Sequence, residues 1–171
     1  MKKLSIKKYA FFSLIILLGI AIDQITKLLT VRFLKPVDTV PIIENVIHLT
    51  YVENRGAAFG MLSDSRWVFM LVSSVAILGM LFFLYAGFAQ NKLYEISIAM
   101  IVSGGIGNMI DRTLLGYVVD MIDFRLINFA VFNGADSFVC VGAGLLILAL
   151  VLDIVKESKE KKEKENDSDG N

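Results

Sequence analysis

Four stretches of this 171-residue chain, residues 9–33, 67–87, 93–110 and 137–155, are apolar over close to the length a helix needs to cross a bilayer, about 20 residues. No other feature restricts the fold as much. In hydrocarbon every backbone N–H and C=O must find its partner within the chain, so these stretches are expected to be helices. The hydrophobic fraction, 56%, exceeds that of an ordinary soluble domain, and the length leaves room for a single domain. The expected fold is therefore an all-α membrane protein with four transmembrane helices over residues 1–155. A small extracytoplasmic β-cradle over residues 36–66 and a charged, disordered cytoplasmic tail at 156–171 complete it.

The formal net charge is zero but unevenly spread, with Lys2, Lys3, Lys7 and Lys8 ahead of the first apolar run and ESKEKKEKENDSDGN at the carboxyl end. The positive-inside rule puts the amino end in the cytoplasm, and an even number of spans returns the carboxyl end there. A basic stretch followed by an apolar one is similar to a secretory signal peptide. No small-residue cleavage site follows it, however, and helical sequence continues through Asp23 and Lys27, so it is expected to persist as the first span. The middle of the chain has no basic stripe to track a phosphate backbone, which argues against a nucleic-acid partner. The single cysteine, Cys140, precludes an intramolecular disulfide, and its apolar setting predicts a packing role.

Between the first two spans, Ile47, Leu49 and Tyr51 alternate with His48, Thr50 and Val52, a period of two that predicts a short half-buried strand. ENRGAAFG follows at 53–60, and Gly56 and Gly60 suit it to a tight turn or to a lid over a site. His48 has no Cys or His at ligand spacing, so no metal site is expected. Ser103 with Gly107, and Cys140 with Gly144, give small-residue pairs for close helix packing.

With this topology Asp23, Lys27, Asn54, Asn108, Asp111, Arg112, Asp120, Asn133 and Asp136 all fall toward the external side, and the inner halves of the spans look nearly featureless. Charged groups beside a bilayer cost a few kcal/mol unless paired or solvated, so their gathering on one side predicts a polar site near the outer leaflet. Two carboxylates sharing a proton can activate water against a peptide bond, because like charges close together do not both ionise. Asp120, after a turn at Gly116, and Asp136, opening the fourth span where the helix dipole favours negative charge, supply such a pair. Asn133 is placed to donate to a carboxylate and Arg112 to offset charge.

Blander readings exist for each residue. Asp120 is equally a solvated loop carboxylate, Asp123 competes with it, Asp136 is equally a helix cap, and Asp111 with Arg112 reads as an interfacial ion pair. A serine–lysine dyad would draw on Lys27 with Ser63, Ser65 or Ser137, but Asp23 is four residues from Lys27 and ready to pair with it. An ion pathway would need polar groups through the full thickness, and a non-catalytic receptor would tolerate Asp→Asn changes.

DQITK at 23–27, ENRGAAFG at 53–60, GNMIDR at 107–112, VVD at 118–120 and FNGAD at 132–136 together resemble the bacterial lipoprotein signal peptidases, signal peptidase II. The resemblance implies that Asp120 and Asp136 form the catalytic dyad of an aspartic endopeptidase, and it sets Asp123 aside. It implies that Asp23, Lys27, Asn54, Gly56, Asn108, Arg112, Asn133 and Ala135 support the dyad or contact substrate and globomycin-type inhibitors. Diacylglyceryl prolipoproteins would be cut before the lipidated cysteine, without metal or cofactor, by a monomer among membrane lipids in the bacterial plasma membrane. Gly134 departs from the pattern, since the family more often has a branched apolar residue there.

Overall fold

The computed structural model describes residues 5–56, 66–89 and 91–169. Lys2 and Lys3, and the stretch holding Gly60, Ser63 and Ser65, lie outside the described residues. Four helices and three strands follow in the order α1 (Ile6–Leu29), β1 (Thr39–Ile43), β2 (Ile47–Asn54), α2 (Arg66–Tyr85), α3 (Lys92–Leu114), β3 (Val118–Phe124) and α4 (Gly134–Asp169). A π-helical turn, Thr30–Leu34, extends α1, and a 3-10 turn, Arg125–Ile127, follows β3.

Among the described residues, three helical segments, Ile6–Leu34, Lys92–Leu114 and Gly134–Lys164, are long and apolar enough to cross a membrane. In α2 the apolar stretch Met70–Tyr85 is shorter. Leu17, Leu28, Leu71, Val75, Leu78 and Ile147 are all more than half exposed. So much aliphatic surface on the outside of the helices suits lipid as the solvent. α3 is the central helix, half of its span being buried inside the protein against 11% for α4. It starts on a cap, Asn91 Oδ1 accepting from the N–H groups of Leu93 at 2.9 Å and Tyr94 at 3.2 Å.

The α3–α4 contact runs through small residues, but the expected Cys140–Gly144 pair is not among them. A β-carbon at Gly142 would come 2.8 Å from the Ser97 carbonyl oxygen, so here α4 lies directly on α3. Around Gly144 there is open space, and Cys140 is exposed rather than packed, because these two lie on a face of α4 turned away from that contact. Gly107 on α3 does sit at a close approach, beside Asp23 and Ala135.

The small sheet expected beside the helices is present, and it draws its third strand from outside residues 36–66. Strand order is β1-β2-β3, antiparallel throughout, so the half-buried strand predicted around residues 47–52 is the central one. β3 comes from the later loop, between α3 and α4. Gly116, with φ of 85°, turns the chain out of α3 in a conformation that other residues adopt only with strain. An irregularity between Leu49 and Val52 adds one residue to β2, leaving β3 regular. Val119 and Met121 on one face of β3 pack with Leu34, while Asp120 projects from the other.

The end of the bundle away from the sheet is not featureless either. The buried Glu95 accepts from Lys8 Nζ at 2.6 Å, Tyr94 donates to Asp153 at 2.7 Å, and Tyr9 stacks on Tyr85 with ring centroids 5.7 Å apart. Nor does α4 stop at residue 155. It continues to Asp169, because its Lys and Glu residues favour helix and recur at four-residue spacing, as in Lys156 and Glu160, 3.9 Å apart.

Candidate active site

α4 begins at Gly134 with Asn133 in the capping position. The Asp136 N–H donates to Asn133 Oδ1 at 3.0 Å and the Asn133 N–H donates back to Asp136 Oδ2 at 3.2 Å, a reciprocal cap. Asp136 is thus part of the helix cap and still has a second oxygen to offer. That oxygen, Oδ1, accepts from Asn108 Nδ2 at 2.7 Å.

Asp120 is buried on β3. Asn133 Nδ2 donates to its Oδ1 at 2.6 Å, and Asn54 Nδ2, at the end of the neighbouring strand, donates to its Oδ2 at 2.9 Å. Burial pushes the Asp120 carboxyl up to about 6, with the Asp136 charge adding to the rise and the two amide donors and Lys27 opposing it. Asn133 Nδ2 also donates to Asn108 Oδ1 at 3.1 Å, so the two asparagines bridge the two acids. Gly56 closes a turn by donating its N–H to Asn54 Oδ1 at 3.0 Å, and its carbonyl faces Arg112 Nη2 at 3.5 Å.

Asp120, Asp136, Asn54, Gly56, Asn108 and Arg112 line one cleft of about 490 Å³. Its other wall is apolar, formed by residues 129–132 and Val141, and Cys140 borders it as well. Polar groups on one side and hydrocarbon on the other suit the cleft to an amphiphilic chain with a polar bond held against the carboxylates.

Behind the cleft lies a buried hub. Lys27 Nζ is 2.9 Å from Asp23 and 3.0 Å from Asp111, and it donates to Asn108 Oδ1 at 3.0 Å. The i,i+4 pairing of Asp23 with Lys27 is as the sequence suggests. Asp111, however, is held by Lys27, by Gln24 Nε2 at 3.0 Å and by the Val119 N–H at 3.1 Å, which is more than an interfacial ion pair with Arg112. Ala135 is fully buried, and its N–H donates to Asp23 Oδ1 at 2.9 Å. Sequence reasoning placed Asp111 among the external polar residues without a role in the site, and passed over Gln24. The available signal was that Asp111 and Gln24 bear polar groups on segments that must pack together inside a membrane.

Asp123 is separated from the site. Three residues along a regular strand put it on the opposite face from Asp120, where it accepts from Arg125 Nε at 2.9 Å and from Thr50 at 2.8 Å. Ser137 borders the cleft, but its hydroxyl donates to the Asn133 carbonyl at 3.1 Å, and Lys27, committed to three acceptors, opens instead onto a separate pocket of about 230 Å³. Among the described residues no three His, Cys, Asp or Glu side chains gather as a metal site would require.

Fold and cleft together define a multi-pass membrane protein that keeps two hydrogen-bonded carboxylates at the junction of a helical bundle and a small sheet. The family model for signal peptidase (SPase) II matches residues 15–152, and the chain belongs to that family of membrane-bound, lipoprotein-processing hydrolases. It is 50% identical over 125 residues to the lipoprotein signal peptidase of Caldanaerobacter subterraneus subsp. tengcongensis, covering 73% of this chain and 85% of that one. To the lipoprotein signal peptidase of Clostridioides difficile it is 46% identical over 140 residues, covering 80% and 92%. A solved bacterial membrane enzyme superposes with a TM-score of 0.78 at 31% identity, over 85% of this chain and 90% of that one.

Proposed function

We propose that this chain is an aspartic endopeptidase that removes the signal peptide from diacylglyceryl-modified prolipoproteins, cutting just before the lipidated cysteine. The observation that carries the reading is that Asp120 and Asp136 face one cleft and are bridged by Asn108 and Asn133. Asp120, with its raised affinity for a proton, is the acid that polarises the scissile carbonyl. Asp136 takes a proton from water as the water oxygen attacks the carbonyl carbon. Collapse of the tetrahedral intermediate breaks the C–N bond, and the departing amine leaves with a proton from the pair. Arg112 sets a positive charge beside the two acids, and Asn54 and Asn133 hold Asp120 in place.

α2 is the fourth span in this reading, since its 20 residues measure about 30 Å and match a hydrocarbon core. Both termini then lie in the cytoplasm, the sheet lies outside, and the cleft opens at the outer leaflet of the bacterial plasma membrane. A substrate kept in the bilayer by its signal helix and acyl chains would meet the apolar wall of residues 129–132 sideways. Globomycin-type peptides would compete for the same cleft, and one copy of the chain suffices for the reaction.

The deciding experiment is cleavage of a diacylglyceryl prolipoprotein by purified protein and by the Asp120→Asn and Asp136→Asn variants. Loss of turnover in both is expected, and normal turnover in either ends the dyad reading. Chelators are expected to leave the rate unchanged, whereas inhibition that added metal reverses would demand a different mechanism.

A further inference from the structure

Asp120 sits on strand β3 and Asp136 on helix α4, and neither element by itself fixes the distance between the two acids. Besides the Asn108 and Asn133 side chains that bridge the acids, a tie to the backbone of each comes from the hub behind them. Asp111 Oδ2 accepts from the N–H of Val119, the residue just before Asp120, at 3.1 Å, and Asp23 Oδ1 accepts from the N–H of Ala135, the residue just before Asp136, at 2.9 Å. One ammonium, Lys27 Nζ, joins these two carboxylates at 2.9 and 3.0 Å.

We propose that Asp111 is a positioning residue for the carboxylate pair: linked to Asp23 through Lys27, it holds the Val119 N–H and so sets how far Asp120 stands from Asp136. The inference rests on the reading of Asp120 and Asp136 as the dyad. Charge balance does not explain Asp111. Its side chain and those of Asp23 and Lys27 are at most 4% exposed, and two carboxylates share one ammonium there, a costly arrangement that would be neutral without Asp111. What Asp111 adds is an acceptor for a buried backbone N–H at the start of β3. Gln24, donating to Oδ1 at 3.0 Å, fixes the rotamer that aims Oδ2 at Val119.

This account makes geometry, not charge, the essential property, so two substitutions separate the alternatives. Asp111→Asn keeps an oxygen for Val119 and Lys27 and gives up only the contact with Gln24, whose Nε2 retains Asp23 Oδ2 and the Gly107 carbonyl, each at 3.2 Å. Asp111→Glu keeps the charge but carries the acceptor about one methylene too far. A misplacement of about 1 Å in an active site costs roughly 100-fold in rate. In a diacylglyceryl prolipoprotein assay in detergent, Asp111→Glu and Asp111→Ala are expected to lose about 100-fold in kcat with KM within about twofold, while Asp111→Asn stays within about tenfold of the parent. The pH at which kcat falls should move in the Glu variant, because the distance between the acids governs how they share a proton. If Asp111→Glu is as active as the parent, or more active than Asp111→Asn, the positioning role is wrong and Asp111 serves through its charge. Asp120→Asn and Asp136→Asn run alongside keep the two proposals apart. Activity in those variants defeats the dyad itself, whereas their inactivity beside an active Asp111→Glu defeats only the role of Asp111.

Discussion

Asn133 and Asp136 exchange two hydrogen bonds across the first turn of α4, at 3.0 and 3.2 Å, so the residue that caps the helix also orients one of its candidate catalytic acids. The amide nitrogen of the same Asn133 reaches Asp120 at 2.6 Å. One side chain therefore sets both carboxylates, and its loss should be felt twice. Asn133→Ala is expected to lower stability by about 2 kcal/mol, from the lost cap together with unpaired buried groups. It should also lower kcat by about 100-fold. A thermal melt and a cleavage assay on one preparation check both, and a destabilised variant with full activity would separate the cap from the chemistry.

The Asp120 carboxyl predicts a pH dependence of stability. Burial raises it from 3.8 in the unfolded chain to about 6 in the fold, so the folded state binds the proton more tightly. Below 3.8 both states are protonated and nothing is lost, while above about 6 the ionised carboxylate costs the fold about 3 kcal/mol. Asp120→Asn removes that cost but leaves one of the donors Asn54 and Asn133 facing an amide N–H, a loss of about 1–2 kcal/mol. The variant is therefore expected to melt higher than the parent at pH 7.5 and to lose that advantage by pH 4.5. An equal difference at both values would refute the shift.

Activity should follow the same group. With Asp120 as the protonated member, kcat/KM is expected to fall as pH rises through about 6 in the free enzyme. A profile flat from pH 5 to 8 would assign the proton elsewhere.

Gly107 leaves no room for a side chain: a β-carbon there would meet Asp23 Oδ2 at 2.5 Å and the Ala135 methyl at 3.3 Å. Asp23 is held by Lys27 and by the Ala135 N–H and does not yield freely. Gly107→Ala is expected to cost about 1–3 kcal/mol and to reduce turnover by displacing α4. Gly134 is the opposite case. A β-carbon there meets nothing nearer than 3.6 Å and its φ is not positive, so Gly134→Ala should stabilise the protein by about 0.4–1 kcal/mol with activity retained. Melting temperatures of the two variants should move in opposite directions.

Cys140 is exposed and borders the cleft. Cys140→Ala should stay active. A bulky maleimide should block the parent and spare that variant, and equal sensitivity of the two would place the reactive group elsewhere.

The apolar runs alone determined that this chain is mostly helical and lives in a membrane, because backbone satisfaction in hydrocarbon leaves few options and burial by lipid needs only composition. Periodicity also gave β2, and spacing gave the Asp23–Lys27 pair, both of them local. β3 was hidden, since VVDMIDF has no clean alternation: it is buried on both faces, by Leu34 on one side and by the cleft-lining residues on the other. The same blindness applied to Asp123 and Asp111. Which of two acids three residues apart points into the cleft depends on strand register, and which cation Asp111 meets depends on how α1 packs on α3. Residues as distant along the chain as Asp23 and Ala135, or Asn54 and Asp120, acquire their relation only when the helices and the sheet close on one another. Sequence could supply the two acids and their amides; the distance and the shared cleft that make them a pair belong to the tertiary fold.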